Sequence, residues 1–313
     1  MPASGYCLRH TRASEVAAVQ ALLDLTESAA LSEPRRHPLD IATELRDSRM
    51  DRATNTWVAV APGGELAGFA RLFWGSSAQG DAEIAVHPDH RPRGVDAALL
   101  DAVEVRAAEL AVAAPAGVVP RLHVLCDETD TARRSILAGR GYSPVRESYL
   151  MRIDLAWGPA HVTQVPPGVE VRTFVPGRDE AAVYAADQEA FADHFLFEPS
   201  NLEQWRTHSV ELIDFDPSLW LIAWEEGEVA GEALTLLRGD EAYVDSLAVR
   251  RRWRGRGLGL ALLTRAFACA RQRGRRTVRL GVDAQNPTGA LALYLKAGMR
   301  VERREVRVAK DLR

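Results

Sequence analysis

The sequence predicts an α/β (α+β) protein of two tandem units, each a mixed, mostly antiparallel sheet flanked by helices. Three observations lead there. The 313-residue chain exceeds one compact domain of roughly 100–200 residues. Its two halves repeat each other, and the better-patterned half alternates short strands and helices in an order that suits a central sheet.

The repeat is read from matched residues. Gly5 and Arg9 match Gly168 and Arg172, Trp57 matches Trp220, Gly68 matches Gly231, Val86 matches Val249 and Gly94 matches Gly257, all at a spacing of 163 (from 5 to 168). Gly141 with Gly298, Asp154 with Asp311 and Leu155 with Leu312 are spaced by 157 (from 141 to 298). The first copy therefore carries a short excess in the Pro/Gly/Ala stretch around Ala114 to Pro120. Domains of 1–157 and 168–313 follow, joined by a segment from Gly158 to Gly168 that proline and glycine punctuate.

In the second copy a short strand is expected at Glu170–Phe174, then helices over Asp179–Phe191 and Leu202–Leu212. Strands follow at Trp220–Trp224, Glu228–Leu236 and Tyr243–Val249, where β-branched and aromatic residues gather between the turns at Glu226–Gly227 and Gly239–Asp240. A helix over Leu258–Arg273, a strand at Thr277–Val282, a helix at Thr288–Lys296 and a strand at Val301–Val308 complete the copy.

Composition narrows the class. An apolar fraction of 47% with 26% charged residues belongs to globular proteins, and a net charge of −4 gives no general attraction to nucleic acid. Cys7, Cys126 and Cys269 lie far apart, without the paired spacing of a disulfide framework or a zinc site, so a reduced, cytoplasmic setting and no metal are expected. No apolar run reaches the length of a membrane span or forms a leader, and a soluble protein without a membrane partner is expected.

The strongest local signal is the turn Arg254-Gly255-Arg256-Gly257-Leu258-Gly259, which leads from the strand ending Leu247-Ala248-Val249 into an amphipathic helix. Glycines let backbone amides approach a ligand, and a helix N-terminus aims unpaired N–H groups at it, so the turn reads as a pyrophosphate cradle. Arg250, Arg251, Arg252, Arg254 and Arg256 add positive charge. A plain loop, a solvated arginine rim and a nucleic-acid patch remain alternatives. A P-loop does not fit, because no Lys-Ser/Thr pair follows the glycines, and Leu260 occupies the third glycine position of a dinucleotide fingerprint.

These residues resemble the GNAT acetyltransferases. Arg254, Gly257 and Gly259 meet the acyl-CoA signature [QR]xxGx[GA], and Asn286 with Leu293-Tyr294 and Ala297-Gly298-Met299 looks like the family's later Asn–Tyr–Gly segment. Two fused copies with one well-formed motif resemble the tandem mycothiol synthase type. The resemblance implies a sheet opened between its fourth and fifth strands, with acetyl-CoA as co-substrate. Leu247, Ala248 and Val249 would bind the pantetheine, amides from Arg254, Gly255, Arg256, Gly257, Leu258 and Gly259 the pyrophosphate, and Asn286 a further part of CoA.

Transfer to an amine needs a base for the amine and an acid for the departing thiolate. The resemblance makes Tyr294 the acid; its position also suits a core aromatic. Tyr243 stands where related enzymes carry Glu, and is a candidate to contact the substrate. Asp245, two residues on and expected on the same face, is the remaining base candidate, usable only if burial raises its pKa. Asn286 followed by Pro287 would also start a helix well as an N-cap. Between the first two helices, His194 and Phe195, with Asp193, Phe197 and Trp205, are candidates to meet a small-molecule amine. A binding module that lost turnover is the alternative, and the presence of Tyr294 favours an enzyme.

The first copy is expected to be inactive. Its turn reads Arg91-Pro92-Arg93-Gly94-Val95-Asp96, with Asp96 in place of Gly259, and Leu137 and Thr129 stand where Tyr294 and Asn286 stand in the second copy.

Overall fold

The computed structural model describes residues 5–28, 51–156, 162–212, 214–286 and 288–312. Two compact units form: Met1–Val145 with Val306–Arg313, and Arg146–Glu305. Part of the expected linker, 157–161, lies outside the described residues, as does Pro287.

The first unit contains β1 (Cys7–His10), α1 (Val16–Ser28), α2 (Arg52–Asn55), β2 (Thr56–Val60), β3 (Leu66–Trp74), β4 (Gln79–Val86), α3 (Val95–Ala111), β5 (Arg121–Asp127) and α4 (Thr131–Gly139). Strands β1 to β4 pair antiparallel in sequence order, and β5 joins β4 in parallel. β6 (Ser143–Asp154) ends the first copy.

In the second copy β7 (Glu170–Thr173), α5 (Glu180–Phe191), α6 (Leu202–Thr207), β8 (Trp220–Glu225), β9 (Glu228–Arg238) and β10 (Glu241–Val249) precede α7 (Leu258–Gln272), β11 (Thr277–Asp283), α8 (Ala290–Lys296) and β12 (Arg300–Asp311). β7 to β10 are antiparallel neighbours and β10–β11 is parallel, so the expected mixed sheet forms. Two apolar layers sandwich it. Leu258, Leu262, Ala266 and Ala270 of α7, spaced by one helical turn, bury against Ala233, Val244 and Val278, while Val183 and Ala186 of α5 join Trp220, Ile222 and Leu234.

Most element bounds fall within two residues of those read from sequence; β12 runs on to Asp311, past the expected Val308, and two helices differ. α6 starts where Asn201 and Gln204 form a reciprocal cap, but it ends at Thr207 rather than continuing to Leu212. α8 starts at Ala290, not Thr288: its N-cap is Gly289 at φ +76°, and Asn286 instead holds the preceding turn by accepting from Thr288 N at 2.8 Å and Thr288 Oγ1 at 2.6 Å.

The compact units also divide the chain elsewhere than 1–157 and 168–313. From Arg146 onward β6 belongs to the second unit, where Ser148 to Asp154 pair antiparallel with Asp283 to Thr277 of β11. From Val306 onward β12 belongs to the first, where Val306 and Val308 enter the core. Each copy's fifth strand needs a partner on its outer edge and an apolar side chain at every second position. The last strand of the other copy supplies both; Met151, Ile153 and Leu155 are buried in the second unit's core.

Candidate active site

The site begins with an interrupted strand pair. β10 and β11 are paired at Glu241–Thr277, Ala242–Val278 and Tyr243–Arg279 and then part, although both strands continue. Beyond the break Leu247, Ala248 and Val249 remain paired on their other edge, with Ala233, Glu232 and Gly231 of β9. Their free edge thus lines the opening expected for an extended amide-bearing arm.

The glycine turn follows. Gly255 at φ +76° and Gly257 at φ +85° occupy the left-handed region that disfavours side chains, and Gly257 is the N-cap of α7. A Cβ at either would meet nothing within 4 Å. Among the described residues no backbone carbonyl accepts from the amides between Gly255 and Leu260; the first such bond is Ala261 N to Gly257 O at 3.1 Å. This row of amides and the open space above it fit a diphosphate.

Two expectations about the turn are corrected. Gly259 does not border open space: a Cβ there would stand 2.9 Å from Leu293 Cδ1 and 3.6 Å from Val249 Cγ2, so its smallness serves the packing of α7 on α8. Leu258 is likewise core and offers the ligand only its amide. The arginines are also engaged. Arg254 donates to the carbonyls of Val249 at 3.0 Å and Ala190 at 3.4 Å, tying the end of β10 to α5. Arg256 forks onto Glu225 at 2.7 and 2.9 Å and, with Trp253, holds that carboxyl down at about 2. Arg250 pairs with Glu189, Arg251 with Asp193 and Arg252 with Glu228. The positive character of the turn therefore comes mainly from the backbone.

Tyr294 on α8 is 7% exposed, and burial, aided by nearby Tyr243, pushes its phenol up to about 12. It therefore keeps its proton through neutral pH. Tyr243 is half-buried, its ring under the Arg238 guanidinium at 5.1 Å. Asp245 departs from expectation. The register of β10 on β9 shifts between Val244 and Ser246, placing Asp245 in a bulge, exposed, so the alternation from Tyr243 is broken and the burial a carboxylate base would need is absent.

The loop after α5 reaches the same region. His194 is half-buried, and its Nε2 lies 3.4 Å from the Asn286 side-chain amide, so two separately chosen residues meet. Burial lowers the imidazole pKa and favours the neutral ring, an effect that Asp283 partly opposes. Phe195 is exposed at 38% and lies against the guanidinium of Arg146, itself bound to Asp283 at 2.8 Å. Trp205 instead fills the apolar layer under α5, and Asp193 is the partner of Arg251.

Sequence reading missed one feature. Asp187 of α5 and Glu232 of β9 lie within hydrogen-bonding reach of each other, and Ser246 Oγ donates to Glu232 at 3.0 Å. The signal was an acidic residue inside the otherwise apolar run Val229 to Leu237. Among the described residues no group of three or more His, Cys, Asp or Glu is placed to hold a metal, and no helix is long and apolar enough to cross a membrane.

A doubled sheet-and-helix fold, opened between parallel strands beside an amide-lined helix start, defines an acetyltransferase with two tandem domains. The sequence matches the profile of the Acetyltransferase (GNAT) family over residues 19–134 and 181–299, and the chain belongs to that family. The mycothiol acetyltransferase of Cellulomonas flavigena is 37% identical over 77% of this chain and 70% of its own. That of Catenulispora acidiphila is 31% identical over 93% and 94%. A GCN5-related N-acetyltransferase from Sphaerobacter thermophilus superposes with a TM-score of 0.80 at 32% identity, covering 100% of this chain and 98% of that one. A tandem GNAT protein from the clavulanic acid biosynthesis pathway shares the fold, with a TM-score of 0.70 at 20% identity over 98% and 99%.

Proposed function

We propose that this acetyltransferase uses acetyl-CoA to acetylate the amine of a small molecule, and that the second unit does the chemistry. The observation that carries this is the open edge Leu247–Val249 followed by the amide row from Gly255 to Leu260, with Tyr294 packed in the same core as Leu247, Val249 and Leu258. The backbone of Leu247, Ala248 and Val249 would hold the pantetheine, and the amides after Arg254 the pyrophosphate. His194 and Asn286, in contact with each other, would meet substrate.

Tyr294 serves as the acid. A thiolate leaving a thioester needs a proton, and a phenol that stays protonated through neutral pH can give one and recover it from water. The first unit supports the division of labour: Leu137, in the place of Tyr294, is core at 2% exposure. Three free cysteines suit a reducing, cytoplasmic setting.

Relatives named for mycothiol make deacetylated mycothiol the first acceptor to try. Mass-spectrometric detection of acetyl transfer from acetyl-CoA across an amine panel tests the reading. Absence of any acetylated product, with intact acetyl-CoA binding, would favour a binding module instead.

A further inference from the structure

We infer that Asp187 and Glu232 form the acceptor-amine site, a carboxyl pair sharing one proton that seats a primary ammonium and takes its proton before acyl transfer. The inference rests on the acetyltransferase reading for its role in turnover, and on independent geometry for its chemistry.

Glu232 is 0% exposed and sits on the α5-covered face of the sheet, paired across to Ile222 of β8 and Ala248 of β10. Ser246 Oγ satisfies its Oε1 at 3.0 Å; its Oε2 is buried and receives no amide, hydroxyl or guanidinium hydrogen among the described residues. A buried carboxylate oxygen in an apolar layer is costly unless something donates to it. The neighbour within reach is the Asp187 carboxyl, to which Glu232 donates when it keeps its own proton.

The surroundings preserve that arrangement. α5 contributes Asp187 and Gln188, whose Nε2 lies 3.4 Å from Asp187 Oδ2; β10 contributes Ser246 and the exposed Asp245; β8 and β9 contribute apolar Ile222 and Leu234. No arginine or lysine pairs with either carboxyl among the described residues, in a protein whose other arginines mostly find acids. Burial raises both pKa values, that of Asp187 to about 6 although the Glu232 carboxyl holds it down, and that of Glu232 well above the ordinary range with the Asp187 charge adding to the rise. The pair therefore carries one negative charge near neutrality, and the half-buried Asp187 is its accessible member.

This places a base where the strand position usually filled by Glu holds Tyr243 and where Asp245 is too exposed. Glu232 stands one strand spacing from Ala248, whose free edge lines the opening for the thioester arm. In the step, an N–H bond of the ammonium breaks with its electron pair remaining on nitrogen. Asp187 receives the proton, and the pair becomes neutral and doubly protonated. Asp187 is the residue that meets the amine; Glu232 is a positioning residue that sets its proton affinity.

Carboxyl ¹³C shifts followed against pH in the ligand-free protein read the pair directly. Asp187 is expected to titrate near 6, and higher in Glu232→Leu, which removes the proton that Glu232 donates to it. Benzylamine, as the ammonium, should perturb the Asp187 signal at least tenfold more strongly than benzyl alcohol at equal concentration. Asp187→Asn should lower kcat/KM for the amine about 100-fold with acetyl-CoA affinity unchanged. Titration of Asp187 in the ordinary carboxylate range, equal response to the alcohol, or full transfer by Asp187→Asn overturns the site. No transfer by any form, with benzylamine still seated on a proton-sharing pair, would discard the transferase reading and keep the amine site.

Discussion

The guanidinium of Arg133 grips Asp96 Oδ1 at 2.6 and 3.1 Å while donating to the carbonyl of Ile84 at 2.9 Å. Asp96 stands at the repeat position of Gly259 and Ile84 at that of Leu247. A single ion pair therefore fills the first unit's counterparts of both the phosphate turn and the open strand edge. Calorimetric titration is expected to give one acetyl-CoA site per chain, and two sites of similar affinity would contradict the assignment. Arg133→Ala should leave that count unchanged but strand a mostly buried carboxylate, costing about 1–3 kcal/mol of stability.

Gly257 rather than Gly259 is the position that tests the cradle. A side chain grown at Gly257 enters the open space above the amides but is strained at φ +85°, so Gly257→Glu should reduce acetyl-CoA affinity at least 100-fold, and well beyond Gly257→Ala, the difference being repulsion of the phosphates. Gly259→Ala only asks the end of Leu293 to move, and should change affinity less than about fivefold while lowering Tm. The reverse ranking by calorimetry would move the phosphate site.

Tyr294→Phe removes one hydroxyl and keeps the ring in the core. Turnover should fall about 100-fold, roughly 3 kcal/mol of transition-state stabilisation, with Tm and acetyl-CoA affinity preserved. Near-full kcat under conditions where chemistry limits the rate would make Tyr294 a packing residue.

The contact between His194 and Asn286 separates two roles. His194→Ala should raise the acceptor KM several-fold with little change in that for acetyl-CoA. Asn286→Ala should also lose both hydrogen bonds to Thr288 and lower Tm. Identical kinetic defects in the two variants would mean that His194 acts only by propping the turn.

Stability should depend on the carboxyl pair with a definite sign. The folded-state pKa of Asp187, about 6, lies above its ordinary 3.8, so the folded protein binds more protons across that interval and this stabilisation is lost as pH rises from about 4 to 6. Asp187→Asn removes the carboxylate that burial disfavours. Its Tm should exceed that of wild type at pH 8, by differential scanning calorimetry, with the gain shrinking toward pH 4. A pH-independent difference would show that Asp187 does not titrate above the ordinary carboxylate range.

The sequence by itself determined the doubling, the order of strands and helices, the glycine turn before α7 and the position of Tyr294. Each is a local property of the chain: apolar periodicity, left-handed glycines and a spacing repeated at a fixed interval survive without knowledge of distant contacts. Tertiary structure decided the rest. The copies exchange their last strands because each fifth strand is completed by side chains from the other half. A one-residue bulge turned Asp245 out to solvent, and the acids around the turn took its arginines. Asp187 met Glu232, and His194 met Asn286, through α5 and the loop after it folding over β9 and β10. Burial and proton sharing depend on which face of a sheet is covered and by what, which is set by long-range register rather than by any neighbouring residue in the chain.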